Sequence, residues 1–180
     1  MSTPTLALEP CRTSTLAFID SGLKDYRKLI EGLEPGVRAI VLQGDGVEQI
    51  TSTLLTNTCL ESVHLLASGS PGCIRLGKTL LHVATIDRYA QDLQVWFFLS
   101  QLCDRHPSLH LYGSNIATGE QGKAFLTRLH FLTGAGILAS SSHTGSGSMG
   151  GNWDLEQQIG PASRRNILKP EVMASYRGLL

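Results

Sequence analysis

The feature that most constrains this 180-residue chain is a rhythm. Short apolar runs alternate with longer stretches whose apolar side chains recur at helical spacing. The runs are residues 16–19, 38–42, 62–66, 109–112 and 136–139. Each is rich in branched apolar side chains and is bounded by turn formers such as Asp20-Ser21-Gly22 or Gly44-Asp45-Gly46. That pattern predicts strands buried on both faces. Between them, Leu23, Tyr26, Ile30 and Leu33 keep a helical period, with Ser21 placed to cap. Val47, Ile50 and Leu54 repeat it. Ile86, Tyr89, Leu93 and Trp96 line what reads as the longest helix, with Thr85 before it, and Phe125, Leu129 and Leu132 lead to a stop at Gly134. Strand and helix in alternation predict an α/β fold: three layers, a mostly parallel sheet and helices on both faces.

Two stretches break the rhythm. Residues 73–82 read as an inserted β-hairpin turning at Gly77-Lys78, between the third strand and its following helix, which leaves strands three and four adjacent. Asn152-Trp153-Asp154-Leu155-Glu156 alternates apolar and polar residues and reads as an edge strand. Pro170, Met173, Tyr176 and Leu180 suggest a short closing helix that starts near the proline. The organisation expected is an extension over residues 1–15 and one domain over 16–180.

Composition narrows the function classes. Fifteen basic and fifteen acidic side chains cancel, which argues against nucleic acid as a partner, since phosphate binding needs excess positive charge. No apolar run reaches the ~20 residues of a membrane span. The first fifteen residues lack a secretory signal pattern, so the expectation is a cytoplasmic protein. Cys11, Cys59, Cys73 and Cys103 have no C-x-x-C spacing and the six histidines add no ligand pattern, so neither a disulfide framework nor a metal or other cofactor is expected. Arg164, Arg165 and Lys169 form a small basic run that reads as a solvated face.

Several candidate sites have a plain structural explanation. Residues 143–151 contain a formal G-x-G-x-x-G, but the glycines lead to Asn152-Trp153 rather than to a helix start, so a flexible surface loop is the better reading than a dinucleotide site. His64 reads as a core histidine, and His82, His106 and His110 stand isolated. Trp96 and Phe97 read as core, and Cys73 and Cys103 as inert thiols. The ends of strands three and four carry more weight, because sites in parallel sheets form at the carboxyl edge. There the chain runs into Ser68-Gly69-Ser70-Pro71-Gly72 and into Tyr112-Gly113-Ser114-Asn115.

Those two turns, with Phe18-Ile19-Asp20, Leu33-Glu34-Pro35-Gly36, Leu132-Thr133-Gly134-Ala135, Gly150-Gly151-Asn152-Trp153-Asp154-Leu155-Glu156 and Tyr176-Arg177-Gly178-Leu179, carry a resemblance. Over residues 16–180 the chain resembles an uncharacterised domain found near the N-terminus of giant cyanobacterial and proteobacterial proteins with cadherin-like and calcium-binding repeats. That domain in turn resembles the caspase–gingipain type. The resemblance implies a histidine base after the third strand and a cysteine nucleophile after the fourth, with the glycine following the histidine offering an N–H to an oxyanion. This chain has Ser68 and Ser114 at those positions and keeps Gly69, Gly72 and Gly113. Serine cannot take up a proton near neutral pH, and its hydroxyl has no accessible anion comparable to a thiolate.

The expectation is therefore a non-catalytic caspase-like domain. It would act as a protein-binding, assembly or structural subunit with an unidentified protein partner. The degenerate pair Ser68/Ser114 would face a cleft formed by Gly69, Gly72, Gly113 and Asn115. Two alternatives remain at this stage: a residual hydrolase with Ser114 as nucleophile, and a small-molecule or nucleotide-binding α/β domain.

Overall fold

A computed structural model describes residues 14–180. The central sheet has six strands in the order β2-β1-β3-β7-β8-β9. β1 (Ser14–Asp20), β2 (Val37–Leu42), β3 (Leu60–Leu66), β7 (Ser108–Tyr112) and β8 (Gly136–Ala139) run parallel, and β9 (Gln157–Ile159) closes one edge antiparallel to β8. The five predicted strands are all present, and β3 and β7 are neighbours. A second sheet of β4 (Gly69–Ser70), β5 (Cys73–Leu76) and β6 (Thr79–His82) holds the predicted hairpin.

Residues along each strand alternate between two cores, as a period of two requires. Leu16 and Phe18, Val63 and Leu65, and Leu109 and Leu111 face the larger core. α2 (Gly46–Leu54), α3 (Ala90–Val95) and α5 (Gly119–Thr133) cover it through Val47, Ile50, Leu54, Leu93, Phe125 and Leu129. Trp96 is buried there and donates from Nε1 to Thr51 Oγ1 at 2.9 Å, satisfying the indole in an apolar surrounding. Ala17, Ile19, Leu66, Tyr112 and Leu138 face the smaller core. That side is closed by α1 (Tyr26–Glu31), by Ile167 and Leu168, and by Tyr176 just beyond α6 (Pro170–Ser175).

The chain runs from β1 outward to β2, then returns to β3 on the other side of β1. This reversal leaves a crevice at the carboxyl ends of β1 and β3, where α/β sheets commonly bind ligands. Here the hairpin reaches that edge. Asp20, only 4% exposed, accepts from Gly22 N–H at 2.8 Å and from Gly77 N–H at 3.1 Å. Gly77, at φ +61°, lies so close to the Gly44 carbonyl that a side chain would strike it at 2.5 Å.

Some local expectations are corrected. Gly119–Thr133 is the longest helix, whereas residues 86–102 form a 3₁₀ turn (Ile86–Tyr89), α3 and α4 (Phe98–Leu102). Thr85 does not cap that segment, because its hydroxyl donates back to the carbonyls of Leu80 and His82. Asp25 rather than Ser21 precedes α1, and Ser21 Oγ donates to Leu42 O. The edge strand is Gln157–Ile159, not residues 152–156. Trp153 instead turns into the smaller core, 5.6 Å from Tyr176 between ring centroids, and donates from Nε1 to Met173 O. Its burial imitated strand alternation. Cys59 is disulfide-bonded, against the expectation of unpaired cysteines, while Cys73 and Cys103 are free. Pairing follows proximity in the fold, which spacing alone does not disclose. Cys11 and most of the expected extension over residues 1–15 lie outside the described residues, whereas residues 14 and 15 already belong to β1.

Candidate functional site at the carboxyl edge of the sheet

The turns after β3 and β7 are in backbone contact. A Cβ on Gly69 would fall 2.7 Å from the Gly113 carbonyl carbon and 2.8 Å from Ser114 O. A Cβ on Gly113 would fall 2.8 Å from Ala67 O and 3.1 Å from Gly69 Cα. These two glycines therefore interlock, and only a residue without a side chain allows that approach. Gly72 adds a third constraint: it sits at φ +67° and donates its N–H to Ile116 O at 2.9 Å. Asn115 adopts a left-handed conformation (φ 61°), which asparagine tolerates better than most residues.

The two serines are brought to one edge but their surroundings differ. Ser68 is exposed. Ser114 is 6% exposed, its N–H donates to Leu180 O at 2.7 Å, and its Oγ accepts from Thr144 N–H at 3.1 Å. Leu180 N–H returns to Thr144 O at 2.9 Å, so residues 144 and 180 together cover the Ser114 hydroxyl. Such an oxygen is held as an acceptor within a structural knot.

His143 also reaches this edge, with Nδ1 3.3 Å from Asn115 Nδ2. Among the described hydrogen bonds none joins an imidazole to Ser68 or Ser114. The glycine-containing loop around His143 is anchored rather than free. Gly145 N–H donates to Asn152 O, Ser146 N–H donates to Gly178 O, and residues 144–146 are buried. Neither the approach of His143 nor the anchoring at Ser146 was readable from the sequence, because they depend on Asn115 and Gly178, 28 and 32 positions away.

Open space beside the first turn lies on its other flank. A cavity of about 690 Å³ has an apolar lining that includes Pro71, Leu80 and Val83, with His82, Glu120 and Gln121 as its polar walls beside Cys73. Cys73 and His82 face each other across the β5–β6 pair. Burial pushes the Cys73 thiol up, which disfavours the thiolate.

A family model for a domain of unknown function, DUF4347, matches residues 16–180. The chain belongs to the DUF4347 family. The match takes in both turns and every helix and strand described, save the first two residues of β1. No curated protein matches the chain. Within this DUF4347 domain no cluster of three or more potential metal ligands occurs among the described residues, and no helix among them is long and apolar enough to cross a membrane.

The histidines of the DUF4347 core were the least legible part. His64 is buried as expected, but His110 is not isolated: it is its register partner on β7, with ring centroids 4.0 Å apart. Ser62 Oγ lies 3.0 Å from His64 Nε2, and Ser108 Oγ lies 3.1 Å from His110 Nε2. The shared S-x-H pattern on two strands was the signal available. Burial is the main cause that holds both rings well below their ordinary pKa, His110 at about 4.

Proposed function

We propose that this DUF4347 domain is a caspase–gingipain-type scaffold without catalytic chemistry, acting as a protein-binding or assembly subunit of a larger complex. The doubly wound sheet with two turns meeting at its carboxyl edge supports the scaffold assignment. Parent chains of the giant cyanobacterial repeat type are the context this reading favours. The observation that carries it is the state of Ser114: its hydroxyl is buried, accepts an N–H, and has no hydrogen-bonded base among the described residues. An unassisted serine hydroxyl is a weak nucleophile at neutral pH. Interlocked glycines keep the turns together, so the scaffold persists without the reactive pair. The apolar cavity beside the first turn supports a binding role, since its floor exposes Leu80 and Val83 at 46% and 43%.

The test is labelling of the purified protein with a fluorophosphonate probe and with a thiol-directed acyloxymethyl ketone, read by intact mass. The wild type is expected to stay unmodified at Ser114. Stoichiometric fluorophosphonate labelling lost in Ser114→Ala would refute the non-catalytic reading.

A further inference from the structure

At the amino edge of the sheet, opposite the edge that carries Ser68 and Ser114, a cavity of about 230 Å³ lies at the start of β3. Its walls include Arg105 and His106 from the turn before β7, Ser163 and Arg165 from the segment after β9, and Glu61 and Ser62 from β3. The basic run that read as solvated is thus split in use. Arg164 donates to Leu155 O at 2.6 Å, while Arg165 faces this cavity.

Glu61 is shared by two guanidinium groups and saturates neither. Arg105 Nη1 lies 3.9 Å from Oε1 and Arg165 Nη1 lies 3.7 Å from Oε2. Both separations exceed the ~3.2 Å reach of an N–H···O hydrogen bond, so these contacts are Coulombic only. Among the described hydrogen bonds none is donated by either guanidinium. Among the described residues, two cations against one carboxylate also leave one positive charge uncompensated. Behind them Ser62, 2% exposed, presents a hydroxyl fixed by His64 Nε2 at 3.0 Å and close to Thr15 Oγ1 at 3.4 Å.

We propose that this cavity is a binding site for a small oxyanion, a carboxylate or phosphate group, gripped by Arg105 and Arg165. A guanidinium offers paired, coplanar donors that match two oxygens of such a group. A singly charged oxyanion would bring the four-charge cluster to neutrality. The volume equals about eight waters at ~30 Å³ each, enough for the oxyanion and a small substituent. Access is open, because the side chains of Arg105 and Arg165 are 42% and 45% exposed. Glu61 is the competitor for the same donors, which gives the site a signature: loss of its charge strengthens binding.

The experiment is calorimetric titration of the full chain with inorganic phosphate, and in a parallel arm with acetate, in chloride buffer at constant ionic strength. Saturable one-to-one binding is expected. Arg105→Gln and Arg165→Gln should each weaken it at least about tenfold, the scale of a lost charge-assisted hydrogen bond. Glu61→Gln should tighten it. Amide resonances of Ser62 and Ser163 should move on titration, reporting the place of binding in the wild type without reliance on any variant. Binding in the phosphate arm alone would assign a tetrahedral oxyanion, and binding in both would assign carboxylate-sized recognition. The absence of saturable binding in both arms would overturn the site. So would binding that both arginine substitutions leave unchanged.

Discussion

Acidification from pH 7 to pH 5 should destabilise this protein through the stacked pair His64 and His110. His110 is held at about 4 from an ordinary 6.5, chiefly by burial; a hydrogen bond to the Ser163 carbonyl opposes this and the Arg164 charge adds to it. His64 is held low by burial first, then by His110 and Arg165. Both rings are therefore neutral in the native state at pH 7, and the unfolded chain takes up the protons first. A depressed native pKa contributes stability that is present above the unfolded value and is lost as pH falls toward the native one. For His110 the full effect is about two and a half pH units at ~1.4 kcal/mol each, or about 3 kcal/mol, reached near pH 4. At pH 5 some 2 kcal/mol of that is already lost, and His64 adds in the same direction. Against a typical domain stability of about 5–15 kcal/mol this is a large fraction. Urea unfolding followed by tryptophan fluorescence at pH 7, 6 and 5 measures it. His110→Gln, which cannot titrate, should flatten the slope even if it lowers stability at pH 7. A wild-type stability constant within about 0.5 kcal/mol over this range, or an equally steep fall in His110→Gln, would refute the argument.

Three further outcomes follow from the packing. Gly69→Ala forces a methyl group against the Gly113–Ser114 peptide; an overpacking cost of about 1–3 kcal/mol should appear as a lower urea midpoint. Ser114→Ala leaves the Thr144 N–H without its acceptor, so stability should fall by about 1–3 kcal/mol while probe reactivity stays at the wild-type level. Trp96→Phe removes the indole bond to Thr51 Oγ1 inside the larger core and should cost about 1–3 kcal/mol in the same assay; an unchanged midpoint would show that bond to be dispensable.

The architecture was legible because it rests on local periodicity. Apolar runs such as 38–42 and 109–112 have few options other than buried strands, and Gly134 stops α5 in the left-handed conformation expected of it. Caps were less legible. Thr85 and Ser21 have cap-competent side chains, yet both spend their hydroxyls on carbonyls of neighbouring strands or turns. Trp153 misled for a related reason, since a loop that inserts one aromatic side chain into a core alternates as a strand does. At the carboxyl edge the two turns were readable as strand ends, but their interlocking depends on Gly69 and Gly113, 44 positions apart. The amino-edge cavity was not readable: the adjacency of β3 and β7 brings Glu61 and Arg105 together, but Arg165 joins them only because the segment after β9 comes back to the start of β3.

The hydroxyl of Tyr176 donates to the Lys24 carbonyl at 2.8 Å, across 152 positions of the chain. This bond joins the turn before α1 to a residue made long after it. The larger core can assemble from β1, β3, β7, β8 and the helices between them as soon as β8 has been synthesised, because residues 16–139 supply all its buried side chains. The smaller core cannot, since α1 packs beneath Ile167, Leu168 and Tyr176, which emerge from the ribosome last among its members except Leu180. Until then the face of β1 bearing Ala17 and Ile19 stays uncovered on a nascent chain, which is the interval in which this domain is most open to chaperone capture or to mispairing with another copy.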